Sequence, residues 1–175
     1  MAQHPAAVER LRRELHDVLG DRDPTAVDLP RLPYTQAVLR ESMRLYPPAW
    51  ILSRRGVEPF TLGPHRFPAG TLVLMSQRVV HRDLRFHDEP AAFRPEHWLG
   101  DMPRRLPAFA YFPFGGGPRR CIGESFALLE ASLVLAVIAR RFWLELAPGA
   151  RVEPAPAVTL RLQHGLPMRV RRVQP

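Results

Sequence analysis

The segment FGGGPRRCIG, residues 114–123, sets three glycines, a proline and two arginines ahead of the only cysteine in the chain. Glycine carries no side chain and tolerates positive φ, so such a main chain can come close to a flat or bulky ligand. Arg119 and Arg120 offer charge-assisted hydrogen bonds to a carboxylate or phosphate. Cys121 stands where an apolar helical run begins, and the positive end of a helix favours a thiolate, which is a soft metal ligand. A planar metal cofactor with acidic side groups would use all three features. Taken alone, the loop leaves other readings open. A phosphate cradle of the P-loop kind lacks its Lys-Ser/Thr ending here, and no cysteine-protease signature surrounds Cys121. A lone cysteine is most often simply buried.

A second candidate lies upstream in LRESMRLYPP, where Glu41 and Arg44 are three apart and share one helical face. The spacing decides nothing by itself. Glu9 and Arg12 show the same separation and read as a solvated surface pair.

These residues need elements to hold them. Apolar positions Val8, Leu11, Leu15, Val18 and Leu19 predict a helix over about residues 5–19, stopped at Gly20. A proline-bearing linker follows, then a helix over about 34–45 that Pro47-Pro48 must end. The runs WILS, PFTL and TLVLM read as short strands between the turn signals LGP and PAG. Residues 83–113 lack periodicity, yet their aromatics imply an ordered coil. The run from about Ile122 to Phe142 is apolar on most faces and is expected to be central and buried. The chain ends in an alternating pattern around His164-Gly165 that reads as a hairpin.

Composition sets the outer bounds. The 175 residues suit one domain, and 46% hydrophobic residues suffice for a core. All 25 basic residues are arginine, scattered rather than clustered, so the formal charge of +8 names no partner. One cysteine excludes an internal disulfide framework. FALLEASLVLAVIA falls short of a membrane span and carries Glu130.

The loop resembles the haem-binding loop of the cytochrome P450 family, the haem-thiolate monooxygenases. The family pattern F-x-x-G-x-R-x-C-x-G is met at Phe114, Gly117, Arg119, Cys121 and Gly123. The resemblance implies that Cys121 is the proximal ligand to the iron of haem b. It implies that Phe114 packs beside the thiolate, Gly115 belongs to the same cofactor loop, and Arg119 pairs with a haem propionate. LPYTQAVLRESMRLYPP resembles the family helix whose Glu and Arg, here Glu41 and Arg44, form a structural pair. Arg54 falls where the family places another propionate-binding arginine, although surface charge is an equal reading. FRPEHWL resembles the P-E-R-F/W motif, but His97 holds the arginine position. A histidine there predicts a weaker, more pH-sensitive bond to Glu41.

The implied fold is mainly α with small β-sheets, the carboxy-terminal part of the P450 fold, with residues 1–175 as one incomplete domain. The family's central helix, with its acid–threonine pair, and the helices over the substrate pocket have no counterpart in this sequence. No catalytic residue is therefore assigned, and the chain alone is expected to bind haem without turning over. The family reaction implies a small organic substrate, O2, and a ferredoxin or flavin reductase as electron donor, with no membrane span and a cytoplasmic setting. Two other classes remain: a non-catalytic haem-binding remnant, and a basic nucleic-acid-binding module, which no recognition motif supports.

Overall fold

Leu11, Leu15 and Leu19 recur on one face of the first helix, α1 (Pro5–Leu19), and all three are buried. They meet Leu32, Tyr34 and Val38 near the second helix, α2 (Pro33–Leu45), and Ala136 and Ala139 of the last. This is the main apolar cluster of the computed structural model, which describes residues 1–173. The linker between the helices winds into a 3-10 turn, Ala26–Arg31. Asp28 fixes it by accepting from the Thr25 backbone at 2.9 Å and from Arg22 Nη1 at 2.7 Å.

The start of α2 shows how tertiary contact replaces a local cap. Leu32 stands at the N-cap and offers no side-chain oxygen, and Pro33 opens the helix. Glu14 of α1 supplies the missing acceptor: it receives the backbone N–H of Tyr34 at 2.6 Å and of Thr35 at 2.8 Å, and the Thr35 hydroxyl at 2.8 Å. A carboxylate at a helix N-terminus satisfies orphan N–H groups and complements the dipole. Glu14→Ala is therefore expected to lower stability by about 1–2 kcal/mol, the usual cost of a lost N-cap. A shifted urea midpoint with an unchanged slope would carry that result.

Beyond α2 come four short strands and a helical turn: β1 (Leu52–Arg55), β2 (Phe60–Leu62), β3 (His65–Phe67), β4 (Leu72–Met75) and α3 (Gln77–Val80). β1 pairs antiparallel with β4, and β2 with β3. The segment 83–113 is irregular as expected, with only a 3-10 turn at Pro95–Trp98 and a short helix, α4 (Met102–Arg105). It is packed, since His87, Trp98 and Ala110 are buried. α5 (Glu124–Arg141) then runs directly into β5 (Phe142–Leu146), followed by β6 (Pro154–Pro156), β7 (Leu160–Leu162) and β8 (Met168–Arg172). No described helix is long and apolar enough to cross a membrane.

Two expectations fail. The hairpin around His164-Gly165 does not form, because β7 pairs with β6 and β8 with β5. β5 offers β8 a five-residue antiparallel register, whereas the turn residues retain only an isolated bridge, Gln163 with Gly165. The second concerns α5, which is apolar on most faces but buries chiefly its small residues Ser132, Ala136 and Ala139. Small side chains let α1 and α2 approach closely; Leu135 packs against the same cluster, while Phe126, Val134 and Ile138 remain exposed.

Candidate functional site

The two ends of the glycine–arginine loop are joined by the Cys121 N–H, which donates to the Phe114 carbonyl at 3.0 Å. Between them, Gly115 and Gly117 adopt φ of 76° and 66°, a region that residues with a Cβ enter at a cost. Residues Gly117–Arg119 form a 3-10 turn, and Gly123 is the N-cap of α5. Cys121 thus precedes the helix rather than opening it. Its thiol is free and exposed. A Cβ at position 123 would lie 3.8 Å from the sulfur, an ordinary van der Waals contact.

The loop faces a cavity of about 390 Å³ whose lining joins distant parts of the chain. Cys121, Phe114, Gly115 and Arg119 come from the loop, Leu52 and Arg54 from β1, and Met43 from α2. Gly117 faces the neighbouring groove instead. The arginines divide. Arg120 is committed to Glu124, its Nε at 2.5 Å and its Nη2 at 2.6 Å from the two carboxylate oxygens. Arg119 has no hydrogen-bond partner among the described residues, and Arg54 spends only Nη1, on the Ser53 carbonyl at 2.8 Å. One thiol, two available guanidinium groups and an apolar wall therefore meet at one place.

The segment leading into the loop is held from α2 and from the end of α3, and of the groups that hold it the sequence had singled out only Glu41 and Arg44. His81 is fully buried, and its Nε2 accepts the Phe112 N–H at 2.9 Å. Burial pushes the imidazole pKa down to about 4, so the ring is neutral and able to accept. The Tyr111 hydroxyl donates to the Arg40 carbonyl at 3.2 Å. Arg44 donates from Nε and Nη2 to Glu41, each at 2.8 Å, from Nη1 to the carbonyls of His81 and Pro90, and from Nη2 to that of Ala92. Burial opposes ionisation of Glu41, but donors from Arg44, the Arg94 backbone and Trp98 outweigh it and hold its pKa below the ordinary value.

This corrects the expectation for His97. Glu41 accepts twice from Arg44, once from the Arg94 N–H at 2.8 Å and once from Trp98 Nε1 at 2.9 Å. Four donors fill the lone-pair sites of a carboxylate. His97 is half-buried and makes no bond to Glu41; Trp98, its neighbour, does. The indole signal was present in PEHW, but the motif drew attention to the wrong residue.

What can the cavity hold? No cluster of three His, Cys, Asp or Glu able to bind a metal ion exists among the described residues. Cys121 is a lone protein donor, so it suits a metal whose other ligands arrive with it. A metal macrocycle bearing carboxylates fits the donor set: sulfur to the metal, guanidinium to the carboxylates, apolar wall to the ring. The sequence model described as Cytochrome P450 matches residues 1–173.

The chain belongs to the cytochrome P450 family. It is 41% identical over 160 residues to cyclooctatin synthase of Streptomyces melanosporofaciens, covering 91% of this chain and 35% of that one. To cyclooctat-9-en-7-ol 5-monooxygenase of the same organism it is 40% identical over 149 residues, 85% of this chain and 32% of that one. The solved structure of retinoic acid-bound cyanobacterial CYP120A1 superposes with a TM-score of 0.92 at 31% identity, over 98% of this chain and 40% of that one. The chain thus spans about a third of the length of the curated relatives it matches. P450 enzymes bind haem through a cysteine thiolate, and the mixture of helices with small sheets is part of the P450 fold.

Proposed function

We propose that this chain forms the haem-thiolate portion of a P450-type monooxygenase, with Cys121 as the residue that would bind the iron of haem b. The observation that carries this reading is the convergence of Cys121, Arg119 and Arg54 on one apolar-walled cavity. When bound, the haem would supply an iron that a thiolate ligand makes electron-rich enough to favour O–O cleavage. The chain's own residues hold and orient that group. Cys121 presents sulfur from a loop closed by its own N–H. Arg119 and Arg54 would meet the carboxylates of that group by charge-assisted bonds. Phe114 lines the same cavity as the sulfur and would pack against the bound group. A small organic substrate, O2 and electrons from a ferredoxin or flavin reductase, in a cytoplasmic setting, complete the proposal. The relative named as a monooxygenase supports the reaction class.

A reduced, carbon monoxide-bound absorbance spectrum of the chain mixed with haem tests the reading. A strongly red-shifted Soret band is expected, and Cys121→Ser is expected to lose it. Identical spectra from the two proteins would remove Cys121 from the role. A second reading, a haem binder without turnover, is favoured by the bulky apolar side chains that α5 leaves exposed. It predicts the thiolate spectrum but no hydroxylation by the 175-residue chain supplied with a ferredoxin and its reductase.

A further inference from the structure

Two residues at the cofactor loop sit against their backbone preferences. Phe109 has a φ of 65° and is the one non-glycine residue with positive φ among the described residues. It holds the third position of a turn closed by the Ala110 N–H, which donates to the Pro107 carbonyl at 3.0 Å. Positive φ at that position ordinarily calls for glycine, and a bulky side chain is rare there. Gly116 shows the reverse. Its φ of −164° and ψ of 170° are extended backbone that any residue adopts, yet it is a glycine. Their contact explains both choices. A Cβ at position 116 would lie 2.3 Å from Cε1 of the Phe109 ring, 3.1 Å from Cδ1 and 3.2 Å from Cζ. The ring fills the space that a side chain at 116 would need. Burial does not account for the strained phenylalanine, because it is 61% exposed. Strain that burial does not offset points to a specific contact.

We propose that Phe109 is a positioning residue for Cys121: its ring clasps the loop at Gly116 and fixes the turn that presents the thiol. The clasped residue lies between two hydrogen bonds that shape the loop. The Gly115 N–H donates to the Phe112 carbonyl at 2.9 Å, and the Cys121 N–H closes the loop on Phe114. Gly115 and Gly117, on either side of the contact, are both at positive φ and give the stretch little stiffness of its own. A ring seated on Gly116 supplies the restraint that the glycines lack. Phe112 holds that ring in place through an edge contact, with centroids 6.2 Å apart and planes at 76°. Phe112 is itself anchored through its N–H on His81. The consequence for the thiol rests on the haem reading above, whereas the clasp itself does not.

The test is amide hydrogen exchange over residues 115–121 of the haem-free 175-residue chain, read by mass spectrometry beside the urea midpoint. Phe109→Gly removes the ring and relieves the strained backbone. Exchange in the loop is expected to rise by about tenfold or more, a local opening, while the urea midpoint does not fall. Phe109→Tyr keeps the ring and should exchange as wild type does. Gly116→Ala displaces the ring and should reproduce the faster exchange, yet add nothing in the Phe109→Gly background. With haem and carbon monoxide, Phe109→Gly should lower the share of the red-shifted Soret band, and Phe109→Tyr should retain it. Unchanged loop exchange in Phe109→Gly would overturn the proposal, as would an alanine at 116 that loosens the loop equally with and without the ring. A urea midpoint that drops in step with faster exchange would also overturn it, leaving the ring a general structural contact. Failure of the haem reading would show in the wild-type spectrum, and failure of the clasp in the exchange rates.

Discussion

Arg44→Met is expected to remove about 3–5 kcal/mol of stability, the range seen when one partner of a buried ion pair is deleted. Arg44 is 2% exposed and Glu41 1%, so water cannot replace what is lost. A guanidinium has five N–H donors, and here they serve both Glu41 oxygens and the carbonyls of His81, Pro90 and Ala92. Methionine fills the volume but leaves a buried carboxylate and three carbonyls short of partners. Lysine restores a charge without the fork, so Arg44→Lys should fall between wild type and Arg44→Met. Removing both members does not rescue the fold, unlike many buried pairs. In Glu41→Leu/Arg44→Met the Arg94 N–H and the Trp98 indole also lose their acceptor. Urea unfolding followed by tryptophan fluorescence gives the values. A loss below 1 kcal/mol for Arg44→Met would show that the network contributes little. Because His81 precedes and Ala92 lies within the irregular segment leading to the cofactor loop, haem retention should fall with stability.

The residues that chemistry singles out were legible in the sequence, and the groups that position them were not. Cys121 and Arg119 stand out by residue type, Gly123 entered only through the resemblance to the family loop, and the loop taken alone left other readings open. Glu41 and Arg44 needed the surrounding family pattern, because Glu9 and Arg12 share their spacing. Glu14 was invisible: its role as the cap of α2 depends on two helices meeting, and no local pattern encodes that contact. His81 was equally silent, since a histidine in a polar loop reads as exposed until its burial is known. The misread hairpin has the same origin. Alternation indicates that β7 and β8 are strands, but pairing is decided by which edges are free, and β5 begins inside a run that reads as helix. The buried face of α5 was mistaken because hydrophobicity measures how apolar a helix is, whereas close packing selected its smallest side chains.

The pH sensitivity expected of His97 belongs instead to His81. Its pKa falls from an ordinary 6.5 to about 4 in the folded chain, first because burial disfavours the cation and then through the nearby charges of His87 and Arg44. The unfolded chain therefore binds more protons between these two values. Stability is complete above about pH 6.5, falls as pH drops toward 4, and levels off below that for this group. A shift of this size corresponds to about 3 kcal/mol at 1.36 kcal/mol per pH unit. Protonation also ends the ability of Nε2 to accept the Phe112 N–H, so the cofactor loop should loosen with the loss. His81→Gln retains an acceptor and cannot titrate. Its urea midpoint should be much flatter than that of wild type from pH 6.5 to 4, with a residual slope from His87, which burial also holds below its ordinary pKa. Parallel pH profiles for wild type and His81→Gln would mean that the imidazole does not report on folding. Divergent profiles would make His81 the acid-sensitive tie between the end of α3 and the segment that leads into the loop presenting Cys121.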